Sequence, residues 1–255
     1  MNGYYRVVSL SGGKDSTAML FMMLERGMRV DDVVFFDTGW EFPQMYEHIA
    51  RVEEVSGVRI TRLHPTMPLE HYMYDHVIKK GKRKGERGYG WPRKNSRWCT
   101  RIKTDVIDKH VRAAAAEKNI VQFVGIAADE AHRCNDKSYP LVDWGITEAD
   151  ALAYCQFHGF DFSGLYDHRK RVSCWCCPLQ SLDCLRATRR WHPDLWKRLA
   201  DMDARSRNSF MIRKRRGRYF DVGVDDLERR FSAEDRQLAL PGLETELALF
   251  QSQRD

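Results

Sequence analysis

The sequence predicts an α/β fold: a Rossmann-like, mainly parallel sheet with helices on both faces, followed by a helical region that bears cysteines. Three observations lead there. Short apolar runs rich in β-branched residues alternate with segments of helical length and period over the first 126 residues. A Ser-Gly-Gly loop separates the first such run from the first helical segment. Beyond Asp143 the strand rhythm fades, and four of the seven cysteines fall between Cys174 and Cys184.

Tyr4 to Leu10 reads as the first strand. After the loop comes a nearly all-apolar helix, with Ala18, Met19, Leu20, Met22, Met23 and Leu24, stopping near Gly27; apolarity on every side requires burial on most sides. Val33 to Phe36 is an unbroken apolar run of the kind found where both sheet faces are covered. From about Pro43 to Ser56, Met45, Ile49 and Val52 mark one helical face; Pro43 suits the first turn and Gly57 the end. Val58 to Leu63 is a third strand, Thr100 to Lys118 a helix with Ile102, Val106 and His110 on one face, and Ile120 to Ile126 a fourth strand. Such alternation implies right-handed crossovers, and ligands on these sheets bind at the carboxyl ends of the strands. The Ser11 loop, Asp37 and Gly125 to Asp129 all fall at such ends.

Lys79 to Arg97, polar and very basic, reads as a long loop or small insertion. Helices are expected at about Thr147 to His158 and Pro193 to Ala204. The organisation that follows is a nucleotide-binding domain over 1–145 with its basic insertion at about 79–97, a helical cysteine region over 146–235, and a tail over 236–255. No internal repeat is visible.

At 43% hydrophobic and 31% charged residues, composition excludes disorder throughout. No apolar run approaches the ~18 residues of a membrane span, so no membrane partner is expected. Met1 to Arg6 shows no secretory pattern. A reducing, cytoplasmic compartment is therefore expected, where cysteines more often mean metal or catalysis than disulfides.

In Ser11-Gly12-Gly13-Lys14-Asp15-Ser16 the glycines let backbone amides approach an anion, the helix N-terminus adds unpaired N–H groups, and Ser11 and Ser16 add hydroxyls. A glycine turn that merely connects strand to helix is the alternative. The spacing is not the Gly-x4-Gly-Lys-Ser of P-loop NTPases. It resembles the Ser-Gly-Gly-x-Asp-Ser loop of the PP-loop ATP pyrophosphatases, which cleave ATP between its α and β phosphates.

Further motifs resemble the phosphoadenosine phosphosulfate (PAPS) reductase family. They are Asp37-Thr38-Gly39-Trp40-Glu41-Phe42-Pro43, Trp98-Cys99-Thr100-Arg101-Ile102-Lys103, and the run Gly125 to Arg133, with Ala127 and Ala131 in place of that family's Arg and Ser. Tyr139-Pro140-Leu141 through Trp144, Leu165-Tyr166 and the cysteine cluster follow in the same order, so the likeness covers roughly residues 5 to 200.

That resemblance implies an ATP or related adenine-nucleotide site. Ser9 and Ser11 to Ser16 would hold phosphates, Asp37 and Thr38 would lie near the ribose and adenine, and Gly125 would let the nucleotide approach the sheet. Asp129 and Arg133 would close over it. Lys14, Asp15, Arg101 and Lys103 would be the catalytic groups, with Mg²⁺, since transferred phosphoryl groups require cationic stabilisation. Two departures argue against sulfonucleotide reduction. The Glu-Cys-Gly-x-His tail of true reductases is missing, no cysteine follows Cys184, and the loop carries the Lys14-Asp15 pair.

Cys174 and Cys177 form a C-x2-C pair that Cys184 and the distant Cys99 could complete, with Cys176 as a substitute ligand or reactive thiol. Four cysteines suit a 4Fe–4S cluster or zinc. Similarity to iron–sulfur members of the superfamily that insert sulfur into nucleic acids favours the cluster. Cys155 reads as a small core residue and Cys134 as a loop residue.

Basic clusters at Lys79 to Arg87 and Arg205 to Arg218, with Tyr89, Trp91 and Trp98 beside the first, suit nucleic acid. Gln237 to Leu240 and Glu246 to Phe250 faintly resemble sliding-clamp-binding peptides; a short amphipathic helix is the plainer reading.

The activity expected is ATP cleavage to AMP and pyrophosphate that adenylates a substrate, in sulfur insertion or modification of nucleic acid, with a sulfur-donor protein as partner. The alternatives are a sulfonucleotide reductase using Cys176 or another internal thiol, and a non-catalytic nucleotide-sensing subunit that binds nucleic acid.

Overall fold

The computed structural model describes residues 3–215 and 217–238. Strands β1 (Tyr4–Leu10), β2 (Asp32–Phe36), β3 (Ile60–Leu63) and β4 (Asn119–Val124) form one parallel sheet in the order β3-β2-β1-β4, a Rossmann-like α/β arrangement. Val8 lies opposite both Val33 and Phe123. Between the strands run α1 (Lys14–Glu25), α2 (Pro43–Ser56), the short α3 (Leu69–Tyr74) and α4 (Trp98–Ala115).

Successive side chains of a strand point to opposite faces. Val8, Leu10, Val33 and Phe35 join the core built with α1 and α2, whereas Tyr5, Val7, Val34 and Phe36 pack on Ile107, Val111 and Ala115 of α4. Both faces are thus covered, which is why Val33 to Phe36 needs no polar alternation. Helix α1 is buried from Ser16 to Met23 and is covered by α6 (Glu148–Phe157), whose Ala151 and Cys155 are fully buried. The short α5 (Pro140–Asp143) precedes α6, and beyond it lie α7 (Leu182–Trp191), α8 (Pro193–Arg205), a hairpin of β5 (Met211–Arg215) and β6 (Arg218–Val222), and α9 (Val224–Leu238). One hydrophobic cluster extends from Val8 in β1 to Phe231 in α9. Among the described residues no helix is long and apolar enough to cross a membrane.

Several boundaries differ from the sequence reading for local reasons. Strand β3 begins at Ile60 rather than Val58, because Ser56 Oγ takes the Val58 N–H (3.2 Å) and Glu53 Oε1 takes that of Ile60 (2.7 Å). Strand β4 ends at Val124 instead of Ile126: the Ile126 N–H turns back onto the Val124 carbonyl. Helix α4 stops at Ala115, since Ala116 adopts φ +52°. The basic 205–218 segment, read as part of a helical region, contains the antiparallel hairpin β5–β6. Met211 is buried while Ile212, Tyr219 and Phe220 stay exposed, so no regular alternation of apolar and polar residues marked it in the sequence. Residues 239–255, which hold most of the expected tail and the segment Glu246 to Phe250, lie outside the described residues, as do Ala239 and Leu240 of the segment before it.

A close backbone approach lies at Gly125, directly after β4. A Cβ there would stand 2.6 Å from Ser16 Cα, so glycine is what lets the end of β4 meet the first turn of α1. Gly125→Ala is expected to separate the two and cost about 1–3 kcal/mol, read from urea unfolding.

A second stability determinant is His48 of α2, whose Nε2 lies 3.0 Å from Thr17 Oγ1 and whose ring packs on Phe162 at 4.3 Å. Burial pushes its pKa down from 6.5 to about 4. The unfolded chain therefore binds this proton first. The stabilisation is complete above pH 6.5 and is lost as pH falls toward 4, amounting to about 3 kcal/mol in all. His48→Gln should flatten that acid limb in urea titrations between pH 7 and 4.

Candidate functional site

The loop after β1 is held by its own hydroxyls. The Ser11 N–H donates to Ser16 Oγ (3.1 Å), Ser16 Oγ donates to the Gly13 carbonyl (3.0 Å), and Ser11 Oγ lies 3.0 Å from Ser16 Oγ. Gly12 takes φ +81°, and a Cβ there would collide with Met45 Sδ at 2.3 Å. No side chain of Gly13 caps α1, so its first-turn amides face outward. One of them, on Lys14, donates to the hydroxyl of Tyr166 at 2.9 Å.

These amides open into a cavity of about 380 Å³ lined by Ser9, the loop, Lys103 of α4, Gly125, Arg133, Lys137, Tyr166 and Arg171. Lys14 is only 4% exposed. Its ammonium lies 3.1 Å from Asp15 Oδ1 and 3.3 Å from Glu148 Oε1. Those two oxygens are buried without a hydrogen-bond partner, whereas the other Asp15 oxygen, Oδ2, accepts a hydrogen bond from the same ammonium at 3.3 Å. Burial raises the Asp15 pKa, with Lys14 opposing the rise. Glu130 bridges two further cations, pairing with Arg133 and, at 3.1 Å, with Arg171.

A second chamber of about 660 Å³ adjoins the first and shares Ser11, Lys103, Ile126, Arg133 and Lys137 with it. Thr38, Trp40, Glu41, Cys99, Cys174, Cys176 and Cys177 wall it. Thr38 Oγ1 donates to Glu41 Oε1 at 2.7 Å, and Cys174 Sγ lies 3.6 Å from Thr38 Oγ1 and 3.8 Å from Glu41 Oε1. Burial pushes the thiols of Cys99 and Cys177 up, those of Cys174 and Cys176 far up, and the Glu41 carboxyl up as well.

Some expected site residues stand elsewhere. Arg101 is exposed and lines a separate cleft with Tyr72 and Tyr89, because residues two apart on a helix lie ~200° apart and only Lys103 faces the cavity at the Ser-Gly-Gly loop. Asp37 accepts from the Gly39 N–H (2.7 Å) and the Tyr46 hydroxyl (2.8 Å), shaping its own turn. Asp129 accepts the Glu148 N–H (3.1 Å) at the start of α6. Gly125 does line the cavity, yet the close contact it permits is between β4 and α1. Cys184 is absent from the chamber wall: capped by Ser181 in the first turn of α7, its Sγ is 4.0 Å from the Arg171 carbonyl. Cys155 is buried and directs its thiol to the Lys14 carbonyl, and the exposed-aromatic role expected of Trp91 and Trp98 fails because both are buried.

Sequence reasoning missed Tyr166, Glu148, Lys137 and Arg171. Each comes from a segment far from the loop, and only Tyr166 sat in a quoted motif. Among the described residues no three His, Cys, Asp or Glu side chains come close enough to hold a metal ion. By donor type the chamber nonetheless fits a thiolate-bound centre, since four cysteines share one wall.

An uncharacterized protein of Methanocaldococcus jannaschii is 27% identical over 208 residues, covering 75% of this chain; the chain spans only 40% of that relative's length. Among solved structures, PAPS reductase from Candida auris in a phosphate complex is 15% identical over 69% of this chain and 82% of its own, with a TM-score of 0.45. The U34-tRNA thiolase NcsA from Methanococcus maripaludis with its 4Fe–4S cluster is 15% identical over 79% of this chain and 69% of its own, with a TM-score of 0.43. The phosphoadenosine phosphosulfate reductase domain matches residues 6–180, from the first strand through the Ser-Gly-Gly loop to the C-x2-C pair, and on that match the chain belongs to the PAPS reductase domain family.

Proposed function

We propose that this family member is an ATP pyrophosphatase: it cleaves ATP to AMP and pyrophosphate and passes the adenylyl group to an acceptor oxygen. The observation that carries this is the buried Lys14 ammonium, set between Asp15 and Glu148 at a helix N-terminus that opens on four further cationic side chains. A triphosphate matches that charge; the loop amides and hydroxyls would take its β and γ phosphates.

An acceptor oxygen then attacks the α phosphorus, the bond from that phosphorus to the bridging oxygen breaks, and its electron pair leaves on pyrophosphate. Lys103, Arg133 and Lys137 line the cavity where charge builds on the departing group. Tyr166 already accepts the Lys14 N–H, which leaves its own O–H to donate to a phosphate oxygen. The unpartnered oxygens of Asp15 and Glu148 suit one or two carboxylate contacts to Mg²⁺ arriving with the nucleotide, and Mg²⁺ would neutralise phosphate charge there.

The adenylated acceptor would sit at the wall shared by the two cavities, with the cysteines behind it. A sulfur nucleophile reaching it from the thiol side displaces AMP and leaves sulfur on the acceptor. Cys99, Cys174 and Cys177, with Cys176 beside them, would hold a 4Fe–4S cluster, or zinc in its place; a cluster would supply sulfur chemistry. Nucleic acid is the acceptor class favoured by the basic segments, and a separate protein would donate sulfur.

Lys14→Met and Asp15→Asn are each expected to lower pyrophosphate release from ATP by about 100-fold or more, assayed at a temperature where the circular dichroism of each variant matches the wild-type protein, because loss of a buried ion-pair partner also lowers the unfolding midpoint. Wild-type turnover by either variant would contradict the assignment. Sulfite release from PAPS with a thiol reductant, without pyrophosphate from ATP, would point to the reductase chemistry instead. Tyr166→Phe should raise the KM for ATP by about fivefold, the value of one neutral hydrogen bond, with a smaller change in kcat.

A further inference from the structure

The two basic clusters are over a hundred residues apart in the chain but belong to one surface. Trp91 of the insertion donates its N–H to Asn208 Oδ1 at 2.7 Å and its indole N–H to Asp203 at 2.9 Å. Arg93 donates to the carbonyls of Phe210 (2.9 Å) and Ser209 (2.5 Å) and lies 3.9 Å from Asp221 of β6. Arg207 donates to Glu86 at 2.6 Å. These bonds use the single carboxylate of residues 79–97, against nine lysines and arginines there, and residues 205–218 contain seven more with no carboxylate. Lys79, Lys80, Lys82, Lys84 and Arg87 are exposed and, among the described residues, form no ion pair.

The hairpin adds a pattern that charge alone does not explain. Its register sets Arg213 opposite Phe220 and Lys214 opposite Tyr219, so each of two rungs pairs a cation with an aromatic ring. Tyr219 is 72% exposed and Phe220 48%, and the Lys214 ammonium lies 5.6 Å from the Tyr219 ring. Tyr89 of the insertion is half-buried and held between neighbouring rings, stacked on His76 at 5.1 Å and on Trp98 at 5.7 Å, beside a cleft of about 290 Å³ edged by Arg101. At its other side the insertion reaches the thiol chamber, which Pro92 and Cys99 line.

We propose that the hairpin and the insertion together bind one unpaired nucleic-acid strand, with cations on its phosphates and Tyr219 and Phe220 on its bases. Exposed rings can stack on bases only where those have free faces, which an intact duplex denies them. A path leading to the thiol chamber would deliver one nucleotide to the adenylation site. Only that last point rests on the ATP pyrophosphatase reading, because binding itself needs no turnover.

The test is fluorescence anisotropy of the whole protein with a labelled mixed-sequence strand of about 20 nucleotides, as RNA, as DNA, and annealed to its complement, without ATP. Tyr219→Ala with Phe220→Ala should weaken binding of the single strand about tenfold or more while circular dichroism is unchanged. Replacing Lys79, Lys80, Lys82 and Lys84 by Gln should weaken the same strand and make its dependence on salt shallower. Both effects on one strand support a joint surface. Duplex bound as tightly as single strand, either variant binding like wild type, or no binding of RNA or DNA strands overturns the proposal, whatever the outcome of the pyrophosphate assay.

Discussion

The structure depends on one electrostatic arrangement, the burial of the Lys14 ammonium in the first turn of α1. A cation at a helix N-terminus faces the positive end of the helix dipole, and a buried ammonium loses its hydration. Both penalties demand nearby anions. Asp15 supplies one from the next residue, and Glu148 supplies the other only because α6 packs along α1. The match is strained on the acid side, since burial also raises the Asp15 pKa. With two carboxylates to one ammonium the cluster carries no spare positive charge, so an incoming polyphosphate would find its complement in the helix amides and in Lys103, Lys137 and the arginines that line the cavity.

The second constraint is geometric. Gly125 brings β4 against Ser16, and that contact sets the cavity floor. The segment beyond β4 then carries Arg133 and Lys137 around the rim, where Glu130 restrains Arg133 and Arg171 together. The same rim borders the cysteine chamber, so under the proposed function an intermediate made in one cavity would meet the thiols of the other without crossing bulk solvent.

Much of the α/β architecture was legible because periodicity and glycine placement are local signals. The phosphate loop and the boundaries of β1, α1 and α2 follow from a few adjacent residues. What escaped the sequence is what distant packing decides. Nothing near Tyr166 indicates that its hydroxyl meets the Lys14 amide, and Glu148 looks like an ordinary first-turn acid of a capped helix. Arg101 and Lys103 looked equivalent two residues apart, yet helical phase sends them to different clefts. Cys184 matched a ligand spacing, but the start of α7 turns its thiol to the Arg171 carbonyl. Trp91 and Trp98 stood beside basic residues and proved to be core, whereas the exposed rings are Tyr219 and Phe220 on a hairpin hidden in a run of arginines.

The central claim is that this cavity breaks the bond between the α and β phosphates of ATP. The most direct measurement follows products from two ATP analogues by phosphorus NMR, one with a methylene bridge between the β and γ phosphates, the other with the bridge between α and β. The first should still yield AMP, with methylene-bridged pyrophosphate as the second product, and the second should bind without being cleaved. Inorganic phosphate and a methylene-bridged ADP analogue from the second would place cleavage at the γ phosphate and contradict the account.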